Sequence, residues 1–444
     1  MSAPAGPVRV LIAGAGARGS AYARLVQATG RAAVVGIAEP SAVRREALAD
    51  ELGVPAHARF AGWEEMLARE RFADAVVIAT QDRDHYRPFA AAARRGYSIL
   101  LEKPIAVTLG ECRDLAAVAQ EHSVTAAVCH VLRYTPLTAA VRALLDAGEI
   151  GRIVSVQHLE PVGYWHFAHS YVRGNWRRED LASPFLLAKC THDVDWLTCI
   201  IGSEPVRVGS FGSLAHFRPE EAPDGAGERC TACPVEASCP YSALKVYGAG
   251  RPAPGGGAPD PRRAYFAEVV DPGGTRESLL DALGTGPYGR CVYRCDNDVV
   301  DHQVVSIEYA NGVTASLTAT AFTEATARRT RIFGTRGELS VSDAGLTVHD
   351  FVSGTTRTVP VPVAGALSTA PEGATAPEGA TAAEGHGGGD RGLIEAWVAS
   401  LAEGGGGRIE SSLAASLTSH EVVFAAEEAR HSHRIVELRG AGLR

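Results

Sequence analysis

The chain has 444 residues, 46% of them hydrophobic and 21% charged, which predicts a globular protein of two domains. Its net charge of −8 argues against nucleic acid or an anionic membrane surface as the main partner. No apolar run approaches the ~20 residues of a membrane span, and no signal-peptide pattern begins the sequence, so we expect a cytoplasmic protein. The nine cysteines are then expected as thiols or metal ligands rather than disulfides.

Residues 1–130 alternate predicted strands with predicted helices. Short, continuously apolar runs at 8–13, 32–38, 73–80 and 97–102 indicate buried strands. Helical patterns separate these runs. The alternation predicts an N-terminal Rossmann domain built on a doubly wound parallel sheet.

The turn after the first strand has the sequence GAGARG. Gly14, Gly16 and Gly19 match G-x-G-x-x-G, whose glycines permit a tight turn and close approach to a pyrophosphate. Glu39 ends the second strand 20 residues further on, where a carboxylate accepts hydrogen bonds from ribose hydroxyls. That carboxylate would repel the 2′-phosphate of NADP, which favours NAD, although two arginines just downstream leave NADP open. The alternative is a glycine-rich turn with an exposed glutamate and no ligand.

Lysine is rare in this chain. The 43 basic residues include only three lysines, Lys103, Lys189 and Lys245. Arginine stays charged, whereas burial can lower the pKa of a lysine until it exchanges a proton near neutral pH. A chain that otherwise uses arginine is therefore expected to retain lysine where a proton moves. The alternative is that the three lysines have no special role. Lys103 follows the fourth apolar run, at the sheet edge where ligands bind in such folds. Nothing else supports a role for Lys245.

Residues 131–444 are predicted to form a second, α+β domain. The strand patterns RIVSVQHLEPV, VRVGSFGSLA, DHQVVSIEYA and VTASLTATA alternate or pair locally, which indicates a mainly antiparallel open sheet. The Asn311-Gly312 step predicts a tight hairpin turn, because both residues tolerate positive φ. Residues 219–263, rich in Pro, Gly and Cys, are predicted to be an insertion. The APEGAT repeats of 364–385 predict a flexible surface loop.

The insertion contains the sequence RCTACPVEASCPYS. Cys230, Cys233 and Cys239 have the spacing C-x2-C-x5-C, which suits a tetrahedral thiolate site with Cys291 or Cys295 as the fourth ligand. We expect structural zinc ahead of an iron–sulfur cluster. The alternative is a set of reduced thiols on a loop.

A second polar cluster, KCTHDVD at 189–195, follows the apolar stretch PFLLA and is predicted to be helical. Lys189, His192 and Asp193 share one helical face by the i, i+3, i+4 rule. The three side chains can therefore converge on one cavity.

Together with GAGARG, the AT-x-x-x-x-H segment at 79–85 and the triplet EKP at 102–104, this cluster makes the chain resemble the Gfo/Idh/MocA oxidoreductases. The resemblance implies a sugar or cyclitol dehydrogenase in which Lys103 contacts the substrate hydroxyl and His192 accepts or relays its proton. The family's usual aspartate is replaced here by Ala188, and Lys189 is the expected substitute. The predicted cofactor-binding residues are Gly14, Gly16, Ala17, Arg18, Gly19, Glu39, Thr80, His85, Glu102 and Lys103.

The remaining predictions concern the substrate and the assembly. Tyr164, His166, Trp176 and Asp193 are predicted to line the pocket of a sugar-like substrate. The open sheet implies a homodimer or homotetramer. Two other functions stay open: an NAD-dependent glycoside hydrolase acting by transient oxidation and elimination, and a non-catalytic dinucleotide sensor.

Overall fold

The computed structural model describes residues 6–252, 259–324, 327–342, 345–361, 386–403 and 409–438. The predicted flexible loop 364–385 lies outside these residues. Within them, no helix is both long enough and apolar enough to cross a membrane.

The first domain is a Rossmann sheet of six parallel strands, as predicted. The apolar runs at 8–13 and 32–38 form strands from end to end, because their side chains are covered by helices on both faces of the sheet. Its elements are β1 (Val8–Ala13), α1 (Ala17–Ala28), β2 (Ala32–Ala38), α2 (Ala42–Leu52), β3 (Arg59–Phe60), α3 (Trp63–Ala68), β4 (Ala75–Ile78), α4 (Tyr86–Arg94), β5 (Ser98–Leu101), α5 (Leu109–Glu121) and β6 (Ala126–Val128). The strand order is β3-β2-β1-β4-β5-β6.

The second domain contains a nine-stranded sheet. Its elements are α6 (Pro136–Asp146), β7 (Ile153–Pro161), α7 (Tyr164–Phe167), α8 (Phe185–Ile201), β8 (Pro205–Ser213), α9 (Ala243–Gly248), α10 (Pro261–Val270), α11 (Arg276–Thr285), β9 (His302–Tyr309), β10 (Thr314–Thr320), β11 (Arg329–Gly334), β12 (Gly337–Ser342), β13 (Gly345–Asp350), β14 (Thr355–Val359), α12 (Gly389–Ala402), α13 (Leu413–Ser432) and β15 (Val436–Glu437). The strand order is β14-β13-β12-β11-β7-β10-β9-β8-β15. Neighbouring strands are antiparallel except β7 and β10, so the prediction of a mainly antiparallel open sheet is confirmed.

The hairpin between β9 and β10 forms at the predicted place with a longer turn. Tyr309 N–H donates to the carbonyl of Val313 at 2.9 Å, which leaves three residues in the loop. Gly312 has φ 83°, whereas Asn311 does not have positive φ. The Asn311 side chain instead accepts the Val313 N–H at 3.1 Å. The glycine alone supplies the left-handed conformation that a three-residue hairpin needs.

The Rossmann core includes a helix from the far end of the chain. Leu393, Ile394 and Trp397 of α12 are fully buried in the same hydrophobic cluster as the strands of the first sheet. The strands and helices between residues 8 and 130 therefore share one core with α12. The sequence pattern of α12 did not indicate this contact, because an amphipathic helix contains no local sign of the sheet that it covers.

The cysteine-containing segment runs from β8 to β9 and is longer than the predicted insertion 219–263. Helices α9 and α11 pack with it around a small separate core that includes Trp165, Tyr247 and Leu283. Residues Arg229 and Arg290 form an isolated antiparallel bridge that joins its two ends. The apolar faces of these helices make the segment a compact unit on the second domain.

Candidate active site

The glycine turn after β1 is shaped by close backbone contacts. Gly14 has φ 97°, and a Cβ on it would lie 2.5 Å from the carbonyl oxygen of Ala79. A Cβ on Gly19 would lie 1.8 Å from the carbonyl oxygen of Gly14. A Cβ on Gly16 would meet nothing within 4 Å. Gly14 and Gly19 are therefore required by the fold. Gly16 instead leaves open space beside the exposed Ala17, the first residue of α1. The N-terminus of a helix favours a phosphate group, and this space would admit one.

Glu39 follows β2, and its buried carboxylate faces the glycine turn. Its Oε2 accepts the Ala15 N–H at 2.8 Å, and its Oε1 accepts the Ser41 N–H at 3.0 Å. The carboxylate thus ties the end of β2 to the turn after β1. Each oxygen has a further acceptor site, so the same group can also accept ribose hydroxyls.

Arg18 belongs to a partly buried network of ion pairs. Its Nε donates to Glu102 Oε1 at 2.8 Å, and its Nη1 donates to Asp390 Oδ2 at 3.1 Å. The hydroxyl of Tyr22 donates to the same Glu102 oxygen at 2.8 Å. Burial raises the pKa of Glu102, but the charges of Arg18 and Lys103 outweigh it and hold that pKa below its usual value. The network therefore joins the glycine turn to the EKP triplet and to α12.

Thr80 and His85 hold the loop after β4. The Thr80 hydroxyl donates to the carbonyl of Asp84 at 3.0 Å. His85 is buried, with Nδ1 2.6 Å from the carbonyl oxygen of Pro104 and Nε2 3.2 Å from that of Thr80. The peptide between Lys103 and Pro104 is cis. These contacts place His85 as a support for the residue after Lys103.

Lys103 lies just beyond β5, between the two domains. Its Nζ donates to the carbonyl oxygen of Ala188 at 2.5 Å, one helical turn before the histidine of α8. Burial lowers the pKa of Lys103; Glu102 and Asp82 offset part of this effect, and the charge of Lys189 adds to it. A lysine in this setting releases its proton more readily than a solvated one.

Lys189 and Asp193 belong to a buried ion network under the pocket. The Lys189 Nζ lies 3.0 Å from Glu160 Oε1, and the Arg328 Nε lies 3.0 Å from Glu160 Oε2. The same Arg328 nitrogen lies 2.6 Å from Asp193 Oδ1, which is also 2.8 Å from His158 Nε2. Burial raises the pKa of Asp193, but Arg328 and His158 outweigh it and hold the pKa below its usual range. Asp193 is thus occupied by protein partners, whereas the Lys189 side chain keeps 21% of its surface exposed.

His192 lies within a buried group of histidines. Its ring centroid is 5.8 Å from that of His130 and 5.5 Å from that of His386, and His130 lies 5.7 Å from His420. Neither Nδ1 of His192 nor either nitrogen of His130 has a hydrogen-bond partner among the described residues. Burial lowers the pKa of His192 well below its ordinary value, and the charge of Lys103 adds to this. His192 therefore has an unpaired Nδ1 that can accept a hydrogen bond, in surroundings that disfavour the imidazolium form.

The three predicted aromatic pocket residues have different neighbours. The Trp176 indole N–H donates to Asp82 Oδ2 at 3.2 Å, beside the Lys103 loop. Burial lowers the pKa of His166 well below its ordinary value, and the charge of Lys189 adds to this. The Tyr164 hydroxyl accepts a hydrogen bond from an arginine of α10 at 3.3 Å. His166 and Trp176 are therefore near the lysines, and Tyr164 faces the cysteine-containing segment.

Four of the five cysteines considered for a thiolate site line one small cavity, and the fourth of them is Cys291. All nine cysteines are free thiols. Cys230, Cys233, Cys239 and Cys291 line one small cavity, and Cys295 does not. Burial raises the pKa of the Cys239 and Cys291 thiols. Among the described residues, no three cysteine sulfurs lie within 4.8 Å of one another, so no closed thiolate site is preformed.

Several residues around the pocket were not predicted from the sequence, chiefly Glu160, His158, Arg328 and Asp390. For two of them a signal was present: His158 and Glu160 share the inward face of β7 with Val156, so they are polar residues at core positions. Arg328 and Asp390 had no such signal, because nothing local distinguishes them from the chain's many other charged residues.

This architecture, a Rossmann sheet with an open glycine turn joined to a second domain on an open sheet, identifies the class of protein. Residues 8–130 match the family described as "Oxidoreductase family, NAD-binding Rossmann fold", and residues 142–438 match its "C-terminal alpha/beta domain". The chain therefore belongs to the Gfo/Idh/MocA oxidoreductase family, as the sequence motifs predicted.

Characterised relatives match part of the chain. It is 29% identical over 202 residues to the 1,5-anhydro-D-fructose reductase of Ensifer adhaerens, covering 45% of this chain and 58% of that protein. It is 28% identical over 156 residues to the 2,7-anhydro-N-acetylneuraminate hydratase of Escherichia coli, covering 35% and 41%. The chain thus spans less than two thirds of the length of these relatives.

A solved structure supports the fold over the whole length. Levoglucosan dehydrogenase in complex with NADH and L-sorbose superposes with a TM-score of 0.69 over 98% of this chain and 99% of that chain, at 19% identity. At that identity the likeness defines the fold alone.

Proposed function

We propose that this protein is an NAD-dependent oxidoreductase that transfers a hydride between nicotinamide and a hydroxyl-bearing carbon of a sugar, sugar derivative or cyclitol. The observation that supports it most is the meeting of Lys103, from the edge of the Rossmann sheet, with the helix of His192 from the second domain. Ligands of doubly wound sheets bind at this carboxyl edge. Relatives named for anhydro-sugar reduction and hydration support the substrate class.

In this proposal, NAD supplies the redox chemistry by accepting the hydride from the carbinol carbon, and the protein moves the hydroxyl proton. Lys103 hydrogen-bonds the hydroxyl, and its lowered pKa lets it exchange the proton. His192 has an unpaired Nδ1 that can accept the proton, and the burial that lowers its pKa makes it a relay that passes the proton on rather than one that keeps it. Lys189 holds the hydroxyl-bearing ring from the side of Glu160. Reduction of a ketone runs through the same groups in reverse.

Isotope transfer tests this proposal directly. The full-length protein is incubated with NAD and a panel of sugars, anhydro sugars and cyclitols that contain deuterium at each carbinol carbon. We expect one substrate class to give deuterated NADH and a product with a new carbonyl. Saturating NAD binding with no deuterium transfer from any member of the panel would contradict the proposal.

We also propose NAD rather than NADP, because the Glu39 carboxylate sits where it can accept ribose hydroxyls and would repel a 2′-phosphate. Calorimetric titration with both nucleotides tests this. We expect tighter NAD binding in the wild type and a narrowed preference in Glu39→Gln, which keeps the side-chain shape and removes the charge. Stronger NADP binding by the wild type would contradict the proposal.

Hydration or elimination by transient oxidation is the second candidate, and the similarity to an anhydro-sugar hydratase favours it. In that chemistry the hydride returns to the substrate within one cycle, so no NADH accumulates. Accumulated NADH with an oxidised product supports the dehydrogenase. A product that differs by one water or by a lost aglycone, with no net NADH, supports the alternative. The sensor hypothesis predicts NAD binding without either product.

A homodimer formed through the open face of the second sheet is also part of this proposal. Phe211 and Val304 are cross-strand partners on that face, with 74% and 40% of their surfaces exposed. Exposed apolar pairs of this kind are typical of interfaces. Phe211→Asp should shift the mass measured by light scattering toward the monomer, and an unchanged mass would argue for another interface. We propose a cytoplasmic location, which fits nine cysteines that form no disulfide.

A further inference from the structure

The cavity lined by four thiols contains a buried positive charge. Arg173 follows α7 in a π-helical turn and lines the cavity together with Cys230, Cys233, Cys239 and Cys291. Only 1% of its surface is exposed. A guanidinium cannot lose its proton in a protein, so this charge is permanently present in the interior.

Arg173 has no carboxylate partner among the described residues. Its Nε donates to the carbonyl of Arg290 at 2.8 Å, and its Nη2 donates to the carbonyl of Tyr241 at 2.8 Å and to Cys230 Sγ at 3.5 Å. Its Nη1 has no hydrogen-bond partner. Buried charges in proteins are normally paired, because an unpaired charge in a low-dielectric interior is costly. Glu236 also lines this cavity, but its Oε1 accepts a hydrogen bond from the Ser242 hydroxyl. Among the described residues, Arg173 therefore lacks a carboxylate in direct contact that balances its charge.

We propose that Cys230, Cys233, Cys239 and Cys291 bind one Zn²⁺ as thiolates, and that Arg173 balances the charge of this centre. Four thiolates and one Zn²⁺ have a formal charge of −2, which supplies the counter-charge that the guanidinium lacks. Binding releases the four thiol protons to solvent and involves no change of oxidation state. This centre lies outside the proposed active site and needs no part of the proposed reaction.

The local backbone fits such a centre. The Gly227 N–H donates to Cys233 Sγ at 3.4 Å, as backbone amides do toward metal-bound thiolates. The Cys291 N–H donates to the carbonyl of Glu228 at 2.9 Å. This hydrogen bond brings the stretch of chain that contains Cys291 against the stretch just before Cys230. The sulfurs are not yet in contact, so the thiols must rotate inward to reach the ~2.3 Å of a Zn–S bond.

Cys291 is assigned as the fourth ligand in place of Cys295. Cys291 lines the cavity, whereas the Cys295 thiol donates to the carbonyl oxygen of Cys291 at 3.3 Å. This contact gives Cys295 a partner of its own. The two cysteines therefore provide a matched pair of variants four residues apart.

The proposed centre would fasten the segment between β8 and β9 to the wall of the pocket. Arg173 is continuous in the chain with α7, which contains Tyr164 and His166. A metal that holds the cysteine loops in place would thus set the position of that wall. Its role would be structural, as in other sites with four thiolate ligands.

Metal analysis of the full-length protein tests the proposal. The protein is purified without chelator and without a metal-affinity tag, and zinc is measured by mass spectrometry before and after an organomercurial caps the thiols. We expect about one zinc per chain, retained on buffer exchange and released when the thiols are capped. Native-state alkylation should leave Cys230, Cys233, Cys239 and Cys291 protected together, and a strong chelator should expose all four. Growth with cobalt should give the intense visible bands of tetrahedral Co²⁺ with thiolate ligands.

Variants then test the ligand assignment. Cys291→Ser should reduce the zinc content to near zero, whereas Cys295→Ser should retain about one equivalent. A wild-type protein with trace zinc and four freely alkylated thiols overturns the proposal without any variant. An iron-containing chromophore, or disulfides among these cysteines, also overturns it. Loss of zinc in Cys295→Ser with retention in Cys291→Ser overturns the choice of fourth ligand.

Discussion

The glycine turn and the lysine pocket are held in different ways. The backbone path of the turn is set by close contacts within the first 80 residues, such as that between Gly19 and the Gly14 carbonyl, and only the Arg18 side chain reaches distant partners. The pocket is held by partners far away in the chain, since Arg328 pairs with Asp193 across 135 residues. A locally determined site follows from a short motif, whereas a site built from distant charges depends on the whole fold.

Removal of the proton-exchanging lysine tests the pocket most severely. Lys103→Arg keeps the charge at the end of β5 but cannot release a proton, so we expect turnover to fall about 10²- to 10⁴-fold while NAD affinity stays close to wild type. Steady-state kinetics and calorimetry measure the two effects. Lys245→Arg is the matched control, because Lys245 is exposed, and it should be silent. Near-normal turnover in Lys103→Arg would show that only a positive charge is needed there.

Removal of the distant arginine tests how the pocket is held. Arg328→Met leaves the carboxylates of Glu160 and Asp193 buried without their main cation, which should lower the free energy of unfolding by about 3–5 kcal/mol. Denaturant unfolding measures this change. The control Arg331→Met breaks an ion pair with Glu338 in which the arginine side chain is 53% exposed, and its stability should barely change. If both variants lowered the free energy of unfolding equally, the buried ion network would not be what holds the lysine pocket.

Two alanine substitutions test the locally determined turn. Gly19→Ala forces a Cβ against a backbone carbonyl and should cost about 1–3 kcal/mol of stability. Gly16→Ala meets open space in the protein but occupies the approach of the pyrophosphate, so it should weaken NAD binding about tenfold with an unchanged melting temperature. Parallel thermal melts and calorimetry separate these outcomes. A stable Gly19→Ala protein would show that the turn tolerates a side chain.

The smallest effect concerns acidification of the histidines beneath the junction. Burial lowers the pKa of His130 well below its ordinary value, with Arg133 and Lys103 adding to this, and burial lowers that of His420 to about 3. The unfolded chain therefore binds more protons below pH 6.5, and the free energy of unfolding should fall as the pH drops from 6.5 toward 3. Each such histidine should cost about 1.4 kcal/mol at pH 5.5. His130→Phe should reduce the difference in the free energy of unfolding between pH 7.5 and pH 5.5. If that difference is unchanged, the pH dependence comes from groups other than His130.

The same contrast explains what the sequence could predict. The sequence predicted the glycine turn, the strands at 8–13 and 32–38 and four strands of the second domain, because backbone geometry and periodicity are local. The scarcity of lysine predicted roles for Lys103 and Lys189, and these roles stay predictions. The ion pair between Arg328 and Asp193 could not be predicted from the sequence. The two charges meet only because the fold brings α8 and the loop before β11 together beside β7. Likewise, the sequence could not decide between Cys291 and Cys295 as the fourth cysteine, because the choice depends on which of them the folded loop brings to the cavity.

The return of α12 to the first sheet has a consequence for synthesis on the ribosome. The six strands emerge within the first 130 residues, but the helix whose Trp397 fills their core follows about 270 residues later. At ~5–20 residues per second, the sheet must wait roughly 15 to 55 s with that surface uncovered. A nascent chain truncated before α12 should therefore be bound by chaperones and cut by protease across the first domain. The Rossmann core is thus completed only after the second domain has been synthesised, because α12 follows that domain in the chain.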